Sequence, residues 1–123
     1  MYETKTIRCL VVDDEPFVRN LIVNIVKLSG HLALTARNGL EAVAFFRSDP
    51  DLIDLVITDL KMPVMDGVEE IRRIRETRPG APILCISGNS EQECPEGTMF
   101  LSKPFTSEQI RTRVGEALAA HVL

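Results

Sequence analysis

The sequence predicts an α/β fold in which a parallel β-sheet is covered by helices on both faces. Short aliphatic runs, typical of buried strands, alternate along the chain with longer segments that carry apolar residues at helical spacing. This alternation is typical of strand-helix-strand units, in which the strands are parallel. The length of 123 residues suits one core, so we expect a single domain over residues 1–123.

The first half of the chain has three predicted strands, at about residues 8–12, 32–36 and 55–58. Pro16 begins the first helix, since proline is tolerated in a first turn, and Gly30 ends it. A turn at residues 38–39 leads into the second helix. The residues predicted to face inward from these two helices are Leu21, Ile22, Ile25, Val26 and Leu28, followed by Ala42, Val43, Phe45 and Phe46.

The second half contributes two more strands, at residues 83–87 and about 99–102. A third helix follows the loop 60–67. The last helix has Thr106 as its N-cap and Gln109 at the capping-box position. The residues predicted to face inward are Val68, Ile71 and Ile74 in the third helix, and Ile110, Val114, Ala117 and Leu118 in the last.

The segment between the fourth and fifth strands is too short for the helix that the alternation requires there. Residues 88–97 are mostly polar and include Pro95 and two glycines. A helix of ordinary length, about 11 residues, does not fit there together with its connecting loops. We therefore expect the fourth helix to be replaced by a loop, or by at most one helical turn.

Composition argues against several classes of function. The chain has 14 basic and 18 acidic residues, a net charge of −4, which argues against nucleic acid as a direct partner. No stretch approaches the length of about 18 apolar residues that a membrane span needs. The N-terminal residues do not resemble a signal peptide.

The three cysteines show no metal-binding spacing. Cys9 and Cys85 lie in strand runs and are expected to be small core residues, whereas Cys94 lies in a polar loop and is expected to be a free thiol. These features favour a reducing, cytoplasmic location. The two histidines, His31 and His121, are isolated and expected to be solvated.

Chemically active side chains follow the strands. Asp13 and Asp14 follow the first strand, Asp59 the third, and Lys103 the fifth, while Ser87 ends the fourth. In open parallel sheets the carboxyl ends of the strands form the binding site. Crowded carboxylates resist ionising together, and a hard cation such as Mg²⁺ relieves their repulsion. The pattern predicts a magnesium site beside which a phosphoryl group can be held.

Four motifs, at residues 11–16, 59–67, 87–88 and 103–105, resemble in order and spacing those of the receiver domain of two-component response regulators. The resemblance covers nearly the whole chain. It implies a flavodoxin-like fold with strand order 2-1-3-4-5. It also implies that Asp59 accepts a phosphoryl group from a histidine kinase or a histidine phosphotransfer protein, and that an unknown downstream protein reads the result.

The resemblance assigns the ligands of the metal. Asp14 and Asp59 would bind Mg²⁺ directly, Asp13 would act mainly through a water molecule, and the backbone carbonyl of Lys61 would complete the protein ligands. Such a domain is a signalling phosphoacceptor. It catalyses only its own phosphorylation and slow autodephosphorylation, and is otherwise not an enzyme.

The resemblance also assigns the switch. Ser87 would donate its hydroxyl to a phosphoryl oxygen and Lys103 would pair with the phosphoryl charge, while the bond before Pro104 would be cis. Phe100 would rotate into the space that Ser87 vacates. Lys61 and Asn89 flank the path of attack and would tune the lifetime of the phosphoryl group.

Three further interpretations stay open. The short segment after Ser87 is similar to that of receivers attached to hybrid histidine kinases. A second interpretation is a phosphatase like the haloacid dehalogenases, although Lys61 stands where those enzymes carry a second aspartate. A third is a degenerate receiver that acts as a constitutive binding module, which the complete acidic set disfavours.

Overall fold

The computed structural model describes residues 6–89 and 91–122, with the backbone alone for residues 120–122. One turn of 3₁₀ helix lies at Glu91–Glu93. The strands and helices are β1 (Arg8–Val12), α1 (Pro16–Leu28), β2 (Leu32–Ala36), α2 (Gly39–Ser48), β3 (Leu55–Asp59), α3 (Gly67–Thr77), β4 (Ile83–Ser87), β5 (Met99–Ser102) and α4 (Ser107–Val122). The prediction for His121 lies outside the described side chains.

The five strands form one parallel sheet in the order β2-β1-β3-β4-β5, which confirms the predicted flavodoxin-like fold. Val12 at the end of β1 is in register with Thr58 of β3. Ser87 at the end of β4 is in register with Ser102 of β5. The residues that follow or end these strands therefore meet at one edge of the sheet, as expected for a doubly wound fold.

Two apolar cores cover the sheet. Leu10 and Val12 of β1 face α2 and α3, whereas Cys9 and Val11 face α1 and α4. This assignment follows from the alternation of side chains along a strand, which sends neighbouring residues to opposite faces. Both faces of the central strands are thereby buried, as their continuous aliphatic composition predicted.

The helix termini agree with the local sequence signals. The side chain of Asn38 accepts a hydrogen bond from the backbone N–H of Glu41, and Asp66 caps α3 in the same way. At α4 the predicted capping box forms: Thr106 Oγ1 accepts from the N–H of Gln109 at 3.1 Å, and Gln109 Oε1 accepts from the N–H of Thr106 at 2.8 Å. The predicted loss of the fourth helix is also confirmed, since a single 3₁₀ turn stands in its place.

Three predictions of inward-facing residues were wrong. Val68 is exposed, and Glu70 is buried on α3 beside Ile71. Leu21 and Leu28 of α1 are exposed as well. The apolar pattern defines a helix face only to within a residue, and packing of the helix on the sheet decides which residues at its margin are covered.

The cysteine and histidine predictions also need correction. Cys94 is not a free thiol, because it forms a disulfide with Cys85, with the two Cα atoms 6.2 Å apart. The segment after β4 folds back so that Cys94 packs on the core between the sheet and the α2–α3 pair. His31 is buried, and its Nδ1 accepts a hydrogen bond from the backbone N–H of Ile7 at 3.2 Å.

Gly67 permits the closest approach between α3 and the end of β3. A Cβ atom added at Gly67 would lie 2.6 Å from the carbonyl oxygen of Asp59. We expect Gly67→Ala to lower the free energy of unfolding by roughly 1–3 kcal/mol, because backbone atoms must move to admit the methyl group. Urea denaturation provides the measurement. Gly115→Ala in α4 is the control, because a Cβ added there would have no neighbour within 4 Å outside its own helical turns. It should stabilise the protein by about 0.5–1 kcal/mol.

Reduction of the Cys85–Cys94 disulfide should lower the free energy of unfolding by roughly 2–3 kcal/mol, as expected for a cross-link between residues nine apart in sequence. Urea denaturation with and without a reductant measures the change, and Cys94→Ser should abolish the response to the reductant. Alkylation of all three cysteines in denaturant without reductant would show that the disulfide is absent.

Candidate functional site

The three predicted carboxylates lie together at the carboxyl edge of the sheet. One oxygen each from Asp13, Asp14 and Asp59 lies within 4.8 Å of the other two. Asp13 and Asp59 are buried and Asp14 is exposed, so the cluster opens to solvent on one side. A set of hard oxygen donors with this much negative charge suits Mg²⁺, and the residues present therefore fit the predicted cofactor.

Hydrogen bonds hold both the side chain and the backbone of Asp13. The N–H of Glu15 donates to its Oδ1 at 2.9 Å, and Arg19 Nη1 donates to its carbonyl oxygen at 3.0 Å. Burial raises the pKa of the Asp13 carboxyl above its usual value, and the charges of Asp59 and Asp14 raise it further. The Glu15 N–H and the Lys103 ammonium act in the opposite direction. Without a cation, the cluster therefore resists full ionisation.

Lys103 provides the positive charge of the site. Its Nζ lies 3.2 Å from Asp59 Oδ2, and about a third of its side chain remains exposed. Its backbone N–H donates to the carbonyl of Ser87 at 2.9 Å, which ties the end of β5 to the end of β4. The peptide bond between Lys103 and Pro104 is cis.

The remaining predicted residues are Ser87, Asn89, Lys61 and Phe100. Ser87 is buried, and its Oγ accepts a hydrogen bond from the backbone N–H of Asn89 at 3.1 Å. The side chains of Asn89 and Lys61 are exposed. Phe100 is half-buried in β5, where it is in register with Cys85 of β4. Phe100 therefore lies beside the strand that carries Ser87 and the disulfide.

Sequence reasoning missed one polar residue beneath the site. Glu70 is fully buried, and its Oε1 lies 2.7 Å from Oγ1 of Thr58, the residue before Asp59. Burial is the main cause that raises its pKa to about 8, the charge of Asp59 adds to this, and a hydrogen bond donated by Thr58 would oppose it. The available signal was position: Glu70 lies one residue before Ile71 and four before Ile74, on the covered face of α3.

The geometry supports chemistry on an anionic group. Asp59, a buried member of the acidic cluster, contacts the ammonium of Lys103 and shares the predicted cation site with Asp13 and Asp14. The buried hydroxyl of Ser87 lies at the end of β4, the strand between β3 and β5 in the sheet. Positioned charges of this kind stabilise a transferring phosphoryl group.

Comparison with known proteins identifies the family of this chain. Residues 9–115 match the family model described as the response regulator receiver domain. The match covers most of the chain, so this protein belongs to the response regulator receiver family.

Individual relatives lead to the same family. The chain is 34% identical over 118 residues to the chemotaxis protein CheY of Halobacterium salinarum, covering 90% of this chain and 96% of that one. It is 37% identical over 113 residues to the two-component response regulator ARR22 of Arabidopsis thaliana, covering 86% and 80%. The solved receiver domain of the hybrid histidine kinase CckA superposes with a TM-score of 0.80 at 32% identity, covering 90% and 98%.

The described residues contain no helix with both the length and the apolar character needed to cross a membrane.

Asp13→Asn should stabilise the protein at neutral pH when Mg²⁺ is absent. The pKa of Asp13 is raised in the folded state, so the folded protein holds this proton to higher pH than the unfolded chain. Stability is then lost as pH rises through the unfolded and folded pKa values, and asparagine removes that loss. Thermal unfolding measures the difference.

The same variant should lose most of the stabilisation that added Mg²⁺ gives the wild type, because an anionic oxygen has been removed from the cluster. Asp51→Asn, which removes an exposed charge elsewhere, is the control. An equal Mg²⁺-induced rise in melting temperature in Asp13→Asn would contradict the role of Asp13 in metal binding.

Proposed function

We propose that this chain is the phosphoacceptor of a two-component phosphorelay, and that Asp59 receives the phosphoryl group. The observation that carries the proposal is the contact between Asp59 Oδ2 and Lys103 Nζ at 3.2 Å, beside the acidic cluster. A lone carboxylate is a weak phosphate acceptor because its charge repels the incoming phosphoryl oxygens. Here that repulsion is offset on one side by a lysine and on the other by a site that suits a divalent cation.

The reaction is an in-line displacement at phosphorus. A carboxylate oxygen of Asp59 forms the new O–P bond as the P–N bond of a phosphohistidine breaks, and the bonding electron pair leaves on the imidazole nitrogen. The product is an acyl phosphate on Asp59. Its later attack by water releases phosphate and restores the carboxylate. Phosphoryl transfer of this type depends mainly on positioning and on neutralising charge.

The residues of this chain divide the work. Asp14 and Asp59, with the backbone carbonyl of Lys61, would hold Mg²⁺, and Asp13 would hold it mainly through water. When bound, the ion supplies positive charge that offsets the phosphoryl oxygens. Lys103 pairs with the same group from the other side.

The signal is read through the end of β4. Ser87 Oγ donates to a phosphoryl oxygen, and Phe100 turns into the space that Ser87 leaves. The half-buried position of Phe100 beside β4 supports this movement, since the ring is not locked inside either core. Lys61 and Asn89 have exposed side chains, and they set how easily water reaches the acyl phosphate.

The donor is a histidine kinase or a histidine phosphotransfer protein, and the reader is a downstream protein that contacts the changed surface. The likeness to the CckA receiver and the shortened segment 88–97 support a receiver of the hybrid histidine kinase type. We place the reaction in the cytoplasm. This location does not rest on the cysteines, since two of them form a disulfide.

Incubation with acetyl phosphate tests the proposal. Wild-type protein should gain one phosphoryl group in the presence of Mg²⁺ and none after the metal is chelated, and Asp59→Asn should gain none under either condition. Intact mass spectrometry gives the count.

Asp51→Asn serves as the matched control, because it removes an exposed aspartate in the loop that precedes β3, whereas Asp59 ends that strand. It should be labelled like the wild type. Labelling of Asp59→Asn would place the acceptor elsewhere. Absence of labelling from both acetyl phosphate and a phosphorylated histidine phosphotransfer protein would favour the constitutive binding module.

A further inference from the structure

The buried carboxyl of Glu70 takes no part in the proposed reaction, yet it lies beside the phosphoacceptor. Thr58 Oγ1 lies 2.7 Å from Glu70 Oε1 and 3.0 Å from the carbonyl oxygen of Asp59. All three residues are buried. The contacts form a short chain from α3, through a side chain of β3, to the backbone of Asp59.

The number of hydrogen atoms available to these contacts decides which group donates in each hydrogen bond. A threonine hydroxyl carries one hydrogen and can donate only once, and a carbonyl oxygen can only accept. If Thr58 donates to the carbonyl of Asp59, its contact with Glu70 is a hydrogen bond only when Glu70 is the donor. Glu70 must then be protonated and neutral.

The surroundings of Glu70 favour the neutral acid. Among the described residues its Oε2 has no hydrogen-bond partner, and no basic side chain forms an ion pair with it. The first residue of α2, Gly39, packs so closely that an added Cβ would lie 3.1 Å from the Glu70 Cβ. A buried, unpaired charge is far less stable than a buried neutral carboxyl. The nearby charge of Asp59 and the raised pKa of Glu70 agree with this.

We propose that Glu70 is a positioning residue for Asp59: as a neutral acid it donates a hydrogen bond to Thr58, whose hydroxyl then holds the carbonyl of Asp59. The inference rests on the proposed role of Asp59 as phosphoacceptor. The carbonyl oxygen of Asp59 is also the atom that Gly67 approaches most closely. Fixing this peptide fixes the direction in which the Asp59 side chain leaves the backbone, and therefore its alignment with the phosphoryl donor.

Four variants test the proposal. Glu70→Leu and Thr58→Val remove the hydrogen bond without removing bulk, and each should slow phosphorylation by acetyl phosphate about fivefold, the effect of one hydrogen bond. The double variant should be no slower than either single variant, because both act through one contact. Glu70→Gln keeps a neutral donor and should stay within about twofold of the wild type.

Glu69→Gln is the matched control. Glu69 is the preceding residue on the same helical turn, but it is partly exposed and pairs with Arg72 and Arg73. Its substitution removes a glutamate charge without touching Thr58, so the phosphorylation rate should not change. Thermal unfolding should show that Glu70→Leu is folded, since leucine is compatible with a buried helical position.

The proton itself is observable. In ¹³C NMR at neutral pH, the Glu70 carboxyl carbon should resonate as a protonated acid, and Glu70→Gln identifies its signal. An ionised Glu70 would overturn the proposal. So would a Glu70→Leu rate equal to that of Glu69→Gln, or a Glu70→Gln rate as low as that of Glu70→Leu.

The experiment separates this inference from the proposed function. If the wild type is labelled and Glu70→Leu is labelled equally fast, the inference fails and the function of Asp59 stands. If the wild type takes no phosphoryl group from either donor, the function fails. The positioning role is then tested by comparing the Mg²⁺ affinity of Glu70→Leu with that of the wild type. If Glu70 positions Asp59, the variant should bind the metal about fivefold more weakly.

Discussion

The mutual repulsion of three carboxylates at one edge of the sheet is the constraint on which the rest of this structure depends. The register between β1 and β3 forces Asp13 and Asp59 together, and Asp14 completes a cluster whose oxygens lie within 4.8 Å. Burial is the main cause that raises the pKa of Asp13, and the charges of Asp59 and Asp14 raise it further. The carboxylates of such a site repel one another, and a bound cation reduces this repulsion. The ammonium of Lys103, which contacts Asp59, reduces it as well.

The apolar cores make that arrangement possible. Burial of both faces of the central strands holds the strand ends in place, so that side chains far apart in sequence meet at a fixed geometry. Glu70 is the exception within this packing, because a hydrophobic side chain would be more stable than a carboxyl at this buried position. A polar group in a core beside the proposed phosphoacceptor fits the general trade of stability for function.

The part of the molecule that departs most from a regular strand-helix alternation is also the part nearest the proposed switch. The segment after β4 has one helical turn, and the Cys85–Cys94 disulfide ties it to β4. Ser87 ends the same strand, and Phe100 is in register with Cys85. The surface beside the proposed switch therefore consists of a short, cross-linked segment rather than a helix face.

The sequence alone determined the strands, the helix caps, the missing fourth helix and the carboxylates at the strand ends, because these depend on local propensity, chain length and the geometry of parallel sheets. It did not predict the pairing of Cys94, the burial of His31 or the exchange of Val68 for Glu70 on the covered face of α3. Each of these depends on which segment covers which surface and on how a helix is rotated against the sheet. Only long-range packing sets those quantities, so only the tertiary structure decided them.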